Sequence, residues 1–375
     1  MSTTARVVYV SSCIVFMATG AWVTLRWWQS TLTSPGIERL YFSSLINRHE
    51  TDYLLKLRDT HLGCETVTYR DPEVVFLGDS HSYAGWDYVF LQEHLQPWRI
   101  GSCALAGMFP ENVADFAGLV SAAGLSTRFV VFGIQPRMFW DVPERADRVA
   151  RAKRMMVEVR EPRESLPGML TGRWRQIDTF VGASATEPSK IDRLHEAAGR
   201  LDDRAVNAGL AANERRLYAL DFWLGYVNDG NPLTGVEQLI GGACEAVRRT
   251  GLRLGVVYIP ESRWLNERYT PEQRERFIRD AKLFTECADW VDLSAFDALG
   301  FENRYFVNRY LVDNYPYAGW QDMTVAHRWI GERETERRWQ FFDPDHMSAA
   351  GAREFSAQIA PRLQQWIGVG HGGQE

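Results

Sequence analysis

Two short segments carry the residue types of a serine nucleophile and its base. One is Val75-Phe76-Leu77-Gly78-Asp79-Ser80-His81-Ser82, an apolar run that stops at a glycine and leads straight into Asp-Ser. The other, near the far end of the chain, is Phe342-Asp343-Pro344-Asp345-His346-Met347-Ser348. A serine hydroxyl is a weak nucleophile until a base takes its proton, and an imidazole needs an acceptor on its other nitrogen to fix tautomer and orientation. Ser80 supplies the hydroxyl, His346 the base, and Asp343, in a turn-like Asp-Pro-x-His segment, the acceptor. A serine at a strand end is also surrounded by helix N-terminal amides that can stabilise an oxyanion. Asp79 reads as support for the turn rather than as a base. His81 reads either as a substrate contact or as a helix-start residue in solvent.

These residues need a scaffold that brings the two segments together. Short apolar runs at Val74–Leu77, Phe129–Phe132, Leu254–Ile259 and, more weakly, Trp290–Leu293 each end at Gly, Pro or a polar residue. Helical patterns separate them, among them Glu111–Ala123 and a last helix from about Ser348 to Ile367. That alternation predicts an α/β fold with a parallel sheet wrapped by helices, its chemistry collected at the carboxyl ends of the strands. Before the fourth strand, Thr270, Pro271 and Gln273 form a capping-box signature for a helix start. More than a hundred residues separate the second and third strands, and 141 to about 235 reads as a helical insertion or cap over the sheet. Its basic stretch, Arg145, Arg148, Arg151, Lys153 and Arg154, reads as a solvated helix face ahead of one turned to lipid headgroups or a partner.

At Gly78-Asp79-Ser80 and Asp343-Pro344-Asp345-His346 the chain resembles the SGNH/GDSL hydrolase superfamily, whose first block is Gly-Asp-Ser after strand one and whose last is Asp-x-x-His before the final helix. The resemblance implies a three-layer α/β/α domain over 69–367, with Ser80 as nucleophile, His346 as base and Asp343 as its partner. It also implies oxyanion donors from the Ser80 amide, from a second-block glycine matched by Gly107, and from a third-block asparagine. The third block departs from the pattern: Gly133-Ile134-Gln135-Pro136-Arg137 stands where many members have Gly-x-Asn-Asp. Three alternatives stay open: Gln135 donates through its longer amide, Arg137 points into the site as an oxyanion or substrate contact, or the hole uses backbone amides alone.

Val7 to Leu25 carries no charge, and nineteen residues of helix would span roughly 28 Å, about the thickness of a bilayer core. Arg6 precedes the run, Arg26 follows it, and Tyr9, Trp22, Trp27 and Trp28 lie near its ends. Thr19-Gly20-Ala21 is a passable cleavage site, but the Trp cluster just beyond argues for a retained anchor. The expected organisation is thus a transmembrane helix in 1–28, a linker and helix in 29–68, the α/β domain, and a tail at 368–375. An N-terminal span before a long domain usually sends the domain across, here to the periplasm or cell exterior of a bacterial inner membrane.

An anchored SGNH-like domain with an altered third block is similar to the alginate-acetylation-like proteins that O-acetylate exopolysaccharides, and to the membrane-anchored protein of teichoic-acid D-alanylation. That likeness implies an acyltransferase acting on a polysaccharide acceptor beside a multispanning membrane-bound O-acyltransferase. A carbohydrate or lipid esterase with the same triad, and a non-catalytic scaffold, are the other readings. A net charge of -6 gives no case for nucleic acid. His61, His94 and His195 lack partners at ligand spacing, so neither a metal nor another cofactor is expected. Cys64, Cys103, Cys244 and Cys287 allow three pairings, and free buried thiols are expected over two bridges.

Overall fold

The structure, a computed structural model, describes residues 71–105, 107–142, 145–160, 203–212, 231–298, 300–311, 338–342 and 344–369, with Cys64 and Val67. The expected anchor at 7–25, much of the 141–235 insertion, 370–375 of the tail and Asp343 lie outside the described residues, while 368 and 369 continue the last helix. Among the described residues, no helix is long and apolar enough to cross a membrane.

Five strands, β1 (Val74–Gly78), β2 (Ile100–Ala104), β3 (Phe129–Ile134), β4 (Arg253–Tyr258) and β5 (Ala288–Asp292), form one sheet in the order β2-β1-β3-β4-β5. Every pairing is parallel. The protein is an α/β structure. Strands β1 and β3 are buried along their whole length, as continuous Val/Phe/Leu runs must be when both faces of a sheet are covered.

The covering helices are α1 (Ser80–Gly85), α2 (Tyr88–His94), α3 (Glu111–Ala123), α4 (Arg145–Arg160), α5 (Asp203–Ala212), α6 (Val236–Thr250), α7 (Pro271–Lys282) and α8 (Ala349–Val369). They pack in groups: α3 lies against α4 and α6, and α8 lies against α1 and α2. Helix α7 begins as its sequence dictates, with a capping box between Thr270 and Gln273 and Pro271 in the first turn.

This strand order reverses direction between β1 and β3. In open parallel sheets the loops leaving two such strands part to opposite faces and leave a crevice at their carboxyl ends. Ser80 follows β1 directly, and Gln135 and Arg137 follow β3. Glycines at those ends let α1 come close: a Cβ on Gly78 would stand 1.9 Å from Ser82 Oγ, and one on Gly133 2.1 Å from the same atom.

Three expectations need correction. The four cysteines form two disulfides, Cys64–Cys103 and Cys244–Cys287, rather than free thiols; the first ties the segment before β1 to β2, and the second joins α6 to the turn before β5. The basic stretch of α4 is not wholly a solvated face, because Arg145 is buried. Its guanidinium binds Glu111 through Nε (3.0 Å) and Nη2 (2.9 Å), and donates from Nη1 to the carbonyls of Met138 (2.8 Å) and Trp140 (3.3 Å). It thereby anchors the 3-10 turn Pro136–Phe139 that carries Arg137. Finally, β2 and an antiparallel pair, β6 (Val307–Leu311) with β7 (Arg338–Phe342), add strands the periodicity did not indicate.

Of the insertion, α4 and α5 are described, and both are helical as expected. Helix α5 packs on the 3-10 turn Asn303–Phe306, where Asn303 Nδ2 donates to Asn207 Oδ1 (2.6 Å) and Arg304 N to Asp203 Oδ1 (3.0 Å).

Candidate active site

The segment bearing His346 is pinned on both sides. Ser262 N donates to Pro344 O at 2.9 Å, so the loop after β4 holds the near side. On the far side, Ser348 N and Oγ both bond Tyr305 O (2.8 and 2.9 Å), and Ser348 Oγ accepts from Gly351 N, capping α8. Helix α8 is tied to the β1 side through Asp87, which accepts from Arg353 Nη1 (2.9 Å) and whose N–H donates to Ser356 Oγ (2.8 Å). These ties carry a residue from the end of the chain to the end of the first strand.

There, His346 Nε2 stands 3.0 Å from Ser80 Oγ. His346 Nδ1 lies 2.9 Å from Asp345 Oδ1, an ion-pair contact with side chains almost fully buried. The carboxylate favours the proton on Nδ1, which leaves the Nε2 lone pair to accept from the serine hydroxyl. The structure therefore brings the sequence-predicted Ser80 and His346 together and sets Asp345, adjacent in sequence to the histidine, on its second nitrogen.

Asp345 and Asp79 belong to one buried charge cluster. Asp345 Oδ2 lies 2.7 Å from His81 Nε2 and 3.4 Å from Arg137 Nη1. Asp79 Oδ2 accepts from Arg137 Nη2 at 2.7 Å, and its Oδ1 accepts from Gln135 Nε2 at 2.6 Å and His81 N at 3.0 Å. Burial opposes ionisation of both carboxyls. Even so, His81 and Arg137 hold Asp79 well below the usual carboxylate range, and His346 and His81 do the same for Asp345.

The other expected site residues are placed as follows. His81 is buried, its ring stacked on that of His346 with centroids 4.3 Å apart, away from solvent rather than at an exposed helix start. Gln135 is buried with its amide nitrogen turned to Asp79, and no described residue bonds its carbonyl oxygen. The Arg137 side chain keeps 22% exposure, with Nη2 3.5 Å from Ser80 Oγ. Nη2 also meets Asp79 and His81 Nδ1, both at 2.7 Å, so Arg137 acts on the serine chiefly as a nearby charge. Gly107, partly buried with φ +80°, sits in the turn after β2 that Leu105 N fastens to Gly78 O at 2.9 Å.

Behind this cluster lies Glu261, on the loop after β4. Its buried carboxyl accepts from Tyr269 Oη (3.0 and 2.9 Å) and Tyr258 Oη (3.2 Å). Burial raises its pKa most, Tyr269's hydrogen bond opposes the rise, and the Asp345 charge adds to it, leaving Glu261 at about 8.

Ligand atoms of His81, Asp345 and His346 lie within 4.8 Å of one another, close enough to surround a cation. The direct separations are 2.7 Å for His81 Nε2 to Asp345 Oδ2 and 2.9 Å for His346 Nδ1 to Asp345 Oδ1. The His81 contact is a hydrogen bond and the His346 contact an ion-pair approach, and neither needs an ion between the groups. The chain matches no family model and no curated protein sequence.

Proposed function

We propose that this chain is a serine acyl-transfer enzyme of the SGNH type, in which Ser80 carries the acyl group. The observation behind the reading is the alignment of Ser80 Oγ, His346 and Asp345 over contacts of 3.0 and 2.9 Å at the carboxyl end of β1. Ser80 Oγ attacks the carbonyl carbon of an acyl donor while its proton passes to His346 Nε2. The donor's leaving alcohol or thiol departs with that proton, and Ser80 retains the acyl ester. An acceptor hydroxyl then attacks the ester, gives its proton to His346, and returns Ser80 to the free alcohol.

Each attack places negative charge on the former carbonyl oxygen. The donors implied by the SGNH resemblance that suit it here are the backbone N–H groups of Ser80 and Gly107. The side-chain donor of the third block is replaced by a charge, with Arg137 Nη2 3.5 Å from Ser80 Oγ while Gln135 is occupied at Asp79. Asp345 stabilises the imidazolium that forms in each step.

The acceptor is read as a sugar hydroxyl of a cell-surface or secreted polysaccharide and the acyl group as acetyl, on the likeness to anchored exopolysaccharide O-acetylating proteins. A multispanning membrane-bound O-acyltransferase is the partner that likeness implies. Two disulfides support an oxidising compartment, and the uncharged run Val7–Leu25 supports a membrane tether. If water resolves the ester, the same machinery is an esterase.

The full-length chain, incubated with p-nitrophenyl acetate and a panel of glycans, distinguishes these outcomes by mass spectrometry. Acetyl on Ser80 that moves to glycan, absent in Ser80→Ala, is the expected result. Serine-dependent hydrolysis with no glycan product would replace transferase by esterase. A folded chain with no Ser80 adduct and no turnover, even beside its membrane partner, would leave a scaffold.

A further inference from the structure

Resting on the reading of Ser80 as nucleophile, we infer that His81 is a positioning residue that aims the Asp345 carboxylate at His346 through a hydrogen bond from its own Nε2. The carboxylate is divided between two imidazoles, with Oδ1 2.9 Å from His346 Nδ1 and Oδ2 2.7 Å from His81 Nε2. Because Asp345 precedes His346 in the chain, the backbone alone does not decide which way its carboxylate turns. The donors on Oδ2 make that choice, His81 Nε2 at 2.7 Å ahead of Arg137 Nη1 at 3.4 Å.

The tautomer of His81 follows from its other side. Arg137 Nη2 lies 2.7 Å from His81 Nδ1. Guanidinium only donates, so Nδ1 accepts and the ring proton resides on Nε2, toward Asp345. Asp79 approaches the same Nδ1 at 3.2 Å from both oxygens, and the shorter Arg137 contact decides the assignment. The ring lies stacked on that of His346, with centroids 4.3 Å apart. Since His81 directly follows the nucleophile, one helix start sets both the serine and the orientation of the acid that serves its base. The ring is almost fully buried.

The test compares His81→Gln, which keeps an N–H near the Nε2 position, with His81→Leu, which fills space without a donor. Turnover of p-nitrophenyl acetate by the full-length chain is measured with thermal unfolding as a check on folding. His81→Leu is expected to lose about 10²-fold in kcat, the scale of a misplaced catalytic group, with KM within about twofold. His81→Gln is expected to recover most of that loss. Equal losses in both variants, or a loss confined to KM, would overturn the inference.

Should the Leu variant fail to fold, ¹⁵N spectra of the histidine-labelled wild-type chain read the tautomer directly. A His81 ring with a proton on Nε2 supports the inference; a neutral ring with its proton on Nδ1 contradicts it. Loss of Ser80 reactivity in the wild type itself would instead fault the proposed function, so the two failures are separable.

Discussion

Asp345 Oδ1 lies 2.9 Å from Nδ1 of His346, its immediate neighbour in the chain. An acid next to its own histidine must turn its side chain back along a tight bend, and the bend here is held by Ser262 on one side and Tyr305 on the other. Asp345 is thus a candidate for the orienting acid that Asp-x-x-His spacing does not select, beside Asp343, which lies outside the described residues.

Asp345→Asn should lower kcat by about 10⁴, the loss seen when a triad acid is replaced by a group that favours the wrong histidine tautomer. Asp343→Asn should cost less than tenfold. Steady-state hydrolysis of p-nitrophenyl acetate by the two variants checks this, and the reverse ranking would return the role to Asp343.

Close packing of α1 on the sheet requires a bare backbone at Gly133. A Cβ there would meet Ser82 Oγ at 2.1 Å and Ile259 Cγ1 at 2.7 Å. Gly133→Ala should destabilise the protein by about 1–3 kcal/mol, as overpacking does. It should also reduce turnover, because α1 carries Ser80. Combining it with Ser82→Gly should restore part of the stability, which chemical denaturation can measure.

Glu261 makes stability fall with rising pH. Its pKa rises from 4.5 to about 8 on folding, so between those values the folded chain holds a proton that the unfolded chain has released. This contribution is fully present below about pH 4.5 and is lost as pH climbs through about 8. Relative to Glu261→Gln, the wild type should lose up to about 1.4 kcal/mol per pH unit across pH 5–8. Unfolding free energies of both proteins at matched pH give the difference, and parallel curves would refute it.

The disulfides close loops with sequence separations of 39 and 43 residues, each worth about 4 kcal/mol by loop-closure entropy. Cys244→Ser with Cys287→Ser should lower the melting temperature by several degrees at least. Non-reducing peptide mapping should find Cys64 linked to Cys103 and Cys244 linked to Cys287.

Much of the sheet was readable because buried parallel strands need apolar runs: Val74–Leu77 and Phe129–Phe132 announced β1 and β3 without tertiary information. β2 was silent. Ile100-Gly101-Ser102-Cys103-Ala104 lies at the edge of the sheet, where small residues suffice, and Gly101 leaves room for the Pro72 ring, 2.6 Å from where its Cβ would be. Ser80 and His346 were legible because strand-end and pre-helix positions are local features. The cluster of Asp79, His81, Gln135, Arg137 and Asp345 was not, since its contacts exist only after β1, β3 and the segment before α8 meet. A buried histidine beside the nucleophile and an arginine two residues past Gln135 were visible as residue types, without the pairing that gives them roles. The cysteine pairing was equally hidden, because β2 and the order of the sheet decide it.

The most direct test is labelling of the full-length chain with a fluorophosphonate, which reacts with a serine activated by a neighbouring base. One adduct per chain is expected, located on Ser80 by peptide mass spectrometry, lost in Ser80→Ala and slowed at least about 10³-fold in His346→Ala. A folded wild-type chain that takes no label, or takes it on another serine, would contradict it.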